Sequence, residues 1–207
     1  SPAPPPSQMR SQDPKTPRPQ DPKTTRPSAH VIGRKTVLQW LSHVKGEPII
    51  TRALKTQVHY NLGALKMNLE GLTHEESLVQ PQPAGNCLNW IVGHILANRA
   101  GILGLLGRGP VWNEDETQPY QRGSEPLTDP GLAKHLDELV AMLETAQDSI
   151  LAGLSEISEE ALQAAAPSGK EGETVETGLA ALVFHEAYHV GETGILRRLL
   201  GHDGAIK

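Results

Sequence analysis

Residues 132–154 read LAKHLDELVAMLETAQDSILAGL. Leu132, Leu136, Leu139, Leu143, Ala146, Ile150 and Leu154 recur every three or four positions, with mostly polar residues between them. That period follows one face of an α-helix; a half-buried strand would alternate every residue. Asp129 stands as N-cap, with Pro130 at the first helical position. The spacing therefore predicts a helix over 130–154. An apolar stripe of this length needs other apolar faces to cover it, and the chain supplies them on both sides.

Upstream, Ile50, Leu54, Val58, Leu62, Leu65 and Leu69 mark a first helix over 48–71, with Pro48 in its first turn and Gly71 at its end. Thr73 and Glu76 in LTHEES have capping-box spacing. After the breaker PQPAG (81–85), Asn86 is placed to cap a second helix over 86–107, striped by Leu88, Ile91, Ile95, Ile102 and Leu106. Downstream, a fourth helix covers 174–200, with Arg197 and Arg198 in its last turn and Gly201 just beyond. Four amphipathic helices and no convincing strand predict an all-α fold, a four-helix bundle over 48–207. The 22 residues 108–129, when extended, out-reach the ~33 Å second helix. A long crossover between parallel second and third helices is expected, in up-down-down-up order. Trp112 and Tyr120 on that connection are expected to act as a cover for the interior.

Residues 1–28 hold nine of the seventeen prolines and a tandem octapeptide, QDPKTPRP followed by QDPKTTRP. Little apolar surface is present to offset ordering entropy, so 1–35 reads as a disordered Pro-rich basic tail. Residues 36–47, with Val37, Trp40, Leu41 and Val44, read as a short amphipathic lead-in. The tail carries seven Lys/Arg against two Asp, while the remainder carries twelve Lys/Arg against twenty-two Asp/Glu. An acidic body is not the profile of a nucleic-acid-binding domain. No apolar run approaches the roughly 18 residues of a membrane span, and none near the N-terminus reads as a signal peptide. A cytoplasmic protein with neither membrane nor nucleic-acid partner is expected. Cys87 is the one cysteine, so no intramolecular disulfide forms.

The candidate chemistry lies in FHEAYHVGETGILRRLLG, residues 184–201. A seam traced through Leu182, His185, His189, Leu196 and Leu200 puts both histidines on the apolar face of the fourth helix. Two imidazoles one turn apart on an inward face are costly without partners, and a shared metal ion satisfies both. His94 lies near the middle of the second helix, level with them, and is the third candidate ligand. Trp90, one turn earlier, is placed to wall the site. His59 is a reserve ligand or pocket residue, whereas His135 reads as surface. Glu192 shares the histidine face and reads as a fourth ligand, a hydrogen-bond acceptor for a ligand, a proton shuttle or a solvated carboxylate. Cys87 reads as a small buried residue. Three imidazoles with open positions suit zinc, nickel or iron(II).

His-Glu-x-x-His is also the zinc-peptidase string. Glu186 would then activate water, but it is turned about 100° from His185 around the helix, towards a neighbouring helix or solvent. Its replacement by Gln is expected to leave metal and activity intact. Positions that would be Gly and His in an extended peptidase string are Glu192 and Ile195, and no strand is available to align a peptide.

NCLNWIVGHILANRAGILGLLG (86–107), with asparagine and tryptophan ahead of Gly-His, and the 184–201 stretch together resemble the DinB superfamily. LEGLTHEES fits that family's lead-in after the first helix, and the resemblance spans about 48–201. It implies an up-down-down-up four-helix bundle, often a homodimer, with a divalent metal on His94, His185 and His189. Where the family often has glutamine, this chain has Glu192. Some relatives are thiol-dependent S-transferases or isomerases, so a metal-dependent enzyme transferring small thiols is the reading the resemblance implies. An HExxH zinc peptidase and a non-catalytic, metal-stabilised interaction bundle are the alternatives.

Overall fold

The structure is a computed structural model that describes residues 48–206; the expected tail (1–35) and lead-in (36–47) lie outside the described residues. It is all-α. Four long helices, α1 (Ile49–Leu69), α2 (Leu88–Leu105), α3 (Leu136–Glu156) and α4 (Val175–Leu199), are joined by segments containing short helical turns. No strand forms among the described residues, only an isolated antiparallel bridge between Ala165 and Thr174. No helix among them is long and apolar enough to cross a membrane.

α1 packs on α3 and α4, and α2 packs on the same two helices. The interior is built from Leu54, Val58 and Leu65 of α1, Ile95, Leu96, Ile102 and Leu103 of α2, Leu139, Leu143 and Ile150 of α3, and Leu179 and Val183 of α4. Each fully buried aliphatic side chain contributes about 1.5–3 kcal/mol relative to leaving it in water. From Leu88 to Leu96 every residue of α2 is buried, so this segment is enclosed on all sides.

Side-chain caps mark several of the helix starts. Thr73 and Glu76 form the expected reciprocal box, and Thr174 with Thr177 does the same at the start of α4. Two expected starts are corrected. Cys87, not Asn86, precedes α2, and its side chain makes no capping bond. Asp129 caps only a short 3₁₀ turn, Pro130–Leu132, and α3 begins at Leu136 behind His135. The backbone in between is claimed by tertiary partners. The Lys134 N–H donates to Tyr120 Oη at 2.8 Å, and the Lys134 carbonyl accepts from Asn89 Nδ2 at 3.0 Å. Leu132 is consequently exposed rather than part of the core stripe.

The rotational phase of α4 also differs from the expected seam. Its deeply buried residues are Val175, Gly178, Leu179, Val183, Glu186, Val190 and Thr193. Leu182, His185, His189, Leu196 and Leu200 are half-buried on the adjacent face. A carboxylate on the inner stripe is what hid this phase, because an isolated glutamate belongs in water.

Candidate metal centre

α2 places His94 where the helix is wholly enclosed, and α4 brings His185 and His189 to the same point one turn apart. One ring nitrogen from each lies within 4.8 Å of the others. The three histidines singled out in the sequence are thus brought together, and the group could hold a metal ion. His59 is exposed on α1, in edge contact with Tyr60. His135 caps α3 and stacks on His74, while His202 meets Glu76 at 2.9 Å. None of these four belongs to the cluster.

The surrounding bonds fix which nitrogens are available. Nδ1 of His94 lies 2.7 Å from the Tyr120 carbonyl. A carbonyl only accepts, so Nδ1 carries the proton and a neutral ring leaves its lone pair on Nε2. Nδ1 of His189 meets the Glu192 carboxylate at 2.7 Å, which directs the His189 Nε2 lone pair inward by the same logic. That Nε2 faces the Nε2 of His185 at 3.2 Å. The donor set therefore fits a cation: imidazole nitrogens converge, and two of the rings have their far nitrogens bound to oxygen, as in metal-ligating histidines generally. Nδ1 of His185 is buried with no hydrogen-bond partner among the described residues.

Electrostatics favour the ligating form. Burial holds the His94 pKa below its ordinary value, with nearby His189 adding to the effect against the Tyr120 bond. Burial also lowers His185, helped by His189, His94 and Arg122. Both rings are therefore neutral at neutral pH, ready to donate a lone pair.

Trp90 stacks face to face on His94, with centroids 4.6 Å apart and an 11° interplanar angle. Trp112 and Tyr120, on the connection expected to act as a cover, are buried. Tyr120 Oη donates to Asn89 Oδ1 at 3.1 Å. Cys87 is buried with its thiol pKa raised by desolvation, so it is not a reactive thiolate. The cluster opens into a cavity of about 670 Å³ walled by Trp90, Ile91, Ile195, Leu196 and Leu199.

Glu186 points to a neighbouring helix. Its carboxylate is held by Arg99 of α2, Nε at 3.0 Å and Nη2 at 2.8 Å, and both side chains are 1% exposed. Arg99 Nη1 also donates to the Leu143 carbonyl of α3 at 2.7 Å. Glu186→Gln would leave the buried Arg99 guanidinium without its counter-charge, a cost to stability that the sequence did not announce. Arg99 was not identified from sequence. Its one signal there is a lone charge amid the apolar residues of ILANRAGIL, which has to find a partner once buried.

A family model described as DinB superfamily matches residues 57–193. The chain belongs to the DinB superfamily. The match runs from within α1 to near the end of α4 and so includes the three histidines and Glu192. No curated protein matches the sequence. Among solved structures, this DinB-superfamily chain resembles a conserved protein from Enterococcus faecalis, with a TM-score of 0.60 and 18% identity over 72% of this chain and 96% of that one. At that identity the likeness concerns the fold. Compared with the glutamine expected from the resemblance, Glu192 gives this chain a carboxylate acceptor for His189, a stronger bond than an amide would give.

Proposed function

We propose that this protein binds one divalent ion through Nε2 of His94, His185 and His189 and acts as a metal-dependent enzyme on small molecules, transferring a small thiol to an electrophile. The observation that carries this reading is the convergence of one ring nitrogen from each of the three histidines within 4.8 Å, beside a cavity with room for a ligand. Three imidazole ligands suit zinc, nickel or iron(II). A bound divalent ion supplies a positive charge that lowers the pKa of a thiol brought to it.

The chain's own residues do the remainder. Tyr120 and Trp90 hold the His94 ring, Glu192 orients His189, and the apolar wall limits water around the reacting groups. Cys87, buried and protonated, leaves the nucleophilic sulfur to the substrate. Glu186 is committed to Arg99 and is not free to serve as a peptidase base.

The fold supports an up-down-down-up bundle with a crossover through 106–135. Side-chain ties advance together along α1 and α4, from Asn61–Val183 to Asn68–Val190. They run in opposite senses along α1 and α3, from Lys55–Ser155 to Lys66–Glu144. A cytoplasmic homodimer belongs to the same proposal, supported by exposed Tyr60, Phe184, Tyr188 and Leu199 on α1 and α4.

Elemental analysis of the purified protein and of His94→Ala, His185→Ala and His189→Ala tests the metal. About one divalent ion per chain is expected in the parent, with loss in each variant; full retention in any two refutes the ligand set. Titration of the cobalt-loaded protein with glutathione and other small thiols tests the reaction class. A sulfur-to-metal absorption band supports thiol transfer, and an unchanged spectrum with every thiol removes it.

A further inference from the structure

The segment that carries Tyr120 also presents a cation to the cavity. Residues 121–124 form a tight turn closed by the Ser124 N–H donating to the Gln121 carbonyl at 3.0 Å. Gly123 takes φ 82°, the left-handed value that glycine supplies at the third position of such a turn. Arg122 occupies the second position, at the corner.

The turn is fastened on both sides to the histidine site. Before it, the Tyr120 carbonyl holds His94 Nδ1. After it, Ser124 Oγ accepts from Trp90 Nε1 at 2.9 Å and donates to the Pro119 carbonyl at 2.9 Å. The backbone that displays Arg122 is therefore fixed relative to His94 and Trp90. Its side chain is exposed and lines the cavity, near enough to His185 to disfavour protonation of that ring.

Arg99 and Arg108 pair with Glu186 and Glu156. Among the described residues Arg122 has no ion-pair or hydrogen-bond partner. Glu192, which lines the same cavity, is engaged by His189. Trp90, Ile91, Ile195, Leu196 and Leu199 give the chamber its apolar wall, and Gln82, Asn86 and Ser124 are its uncharged polar members. A chain whose residues 36–207 carry twelve Lys/Arg against twenty-two Asp/Glu repels anions at a distance, so attraction for one has to be local.

We propose that Arg122 is the anion-recognition residue of this cavity and that its ligand is a small carboxylate with an apolar portion. The planar guanidinium matches a carboxylate through two parallel N–H···O bonds. The apolar portion lies against Trp90, Ile91 and Leu196, with His94, His185 and His189 lining the same chamber. A volume of about 670 Å³ suits a metabolite-sized ligand, not a polymer. The proposal names the substrate class for the enzyme reading and rests on that reading for the location of the site. Its test does not depend on metal.

The test is calorimetric titration of the full chain, metal-free and metal-loaded, with 3-phenylpropionate and its neutral isostere 3-phenylpropionamide. Among the described residues Arg122 is the Lys/Arg side chain that lines the metal-free cavity. The acid is expected to bind about tenfold or more tightly than the amide. Arg122→Met should abolish that preference, and Arg122→Lys should keep part of it. Equal affinity for the two probes, no binding of the acid, or a preference that survives in Arg122→Met overturns the proposal. Cobalt uptake, measured separately on the same samples, reports on the metal reading: parent protein that takes up no cobalt refutes that reading while the acid–amide comparison still decides the role of Arg122.

Discussion

Replacing Glu186 by glutamine tests what the glutamate of the His-Glu-x-x-His string does here. The change removes one negative charge and little volume from a site where both partners are 1% exposed. Arg99 would keep its bond to the Leu143 carbonyl but lose its counter-charge. Its Nε and Nη2 would face an amide that offers one oxygen and a donor in place of two accepting oxygens. Breaking a buried pair from one side costs about 3–5 kcal/mol, most of it the penalty of the stranded charge. For a body of this size that corresponds to a melting temperature lower by about 6–20 °C. Removing both charges, as Arg99→Met with Glu186→Leu, should recover most of the loss, since an apolar pair of similar volume often equals or exceeds a buried ion pair. Thermal melting followed by circular dichroism reads the parent and both variants. A Glu186→Gln protein melting within about 2 °C of the parent, or a double variant no more stable than Glu186→Gln, would refute the reasoning. A peptidase base predicts the contrary pattern, in which the amide preserves the fold and abolishes turnover.

Gly93→Ala tests the support of His94. A Cβ there would lie 2.1 Å from Tyr120 Cδ1, so the ring and the carbonyl that binds His94 must shift; a loss of about 1–3 kcal/mol in stability and roughly 10–100-fold in metal affinity is expected by melting and competition with a chelator, and unchanged values would show that Tyr120 does not orient the ring. Acid should destabilise the metal-free protein through His94 and His185. Their folded pKa values lie below the ordinary 6.5, so this contribution is fully present above that pH and is lost as pH falls through it towards the folded values. Melting of metal-free protein between about pH 8 and pH 5 reads the effect, and a profile identical to that of the His94→Ala, His185→Ala double variant would contradict it.

Helix identity was legible in the chain because the 3.6-residue period survives any arrangement of neighbours. Leu139, Leu143, Ala146, Ile150 and Leu154 announce α3, and they are buried in it. The expected gathering of His94, His185 and His189 followed from local spacing plus one assumption, that the middles of packed helices lie level. What sequence could not supply were quantities set between segments. α3 starts six residues later than its Asp-Pro signal because Lys134 gives its backbone groups to Tyr120 and Asn89. α4 turns Glu186 rather than His185 to its deepest face because Arg99, 87 positions away in the chain, makes burial of a carboxylate tolerable. His59 sits mid-helix like His94 yet stays in solvent, because α1 turns it outward. Periodicity encodes which residues share a face. Which face is innermost, and which lone charge finds a counter-charge, is decided by the free energy of packing those faces together.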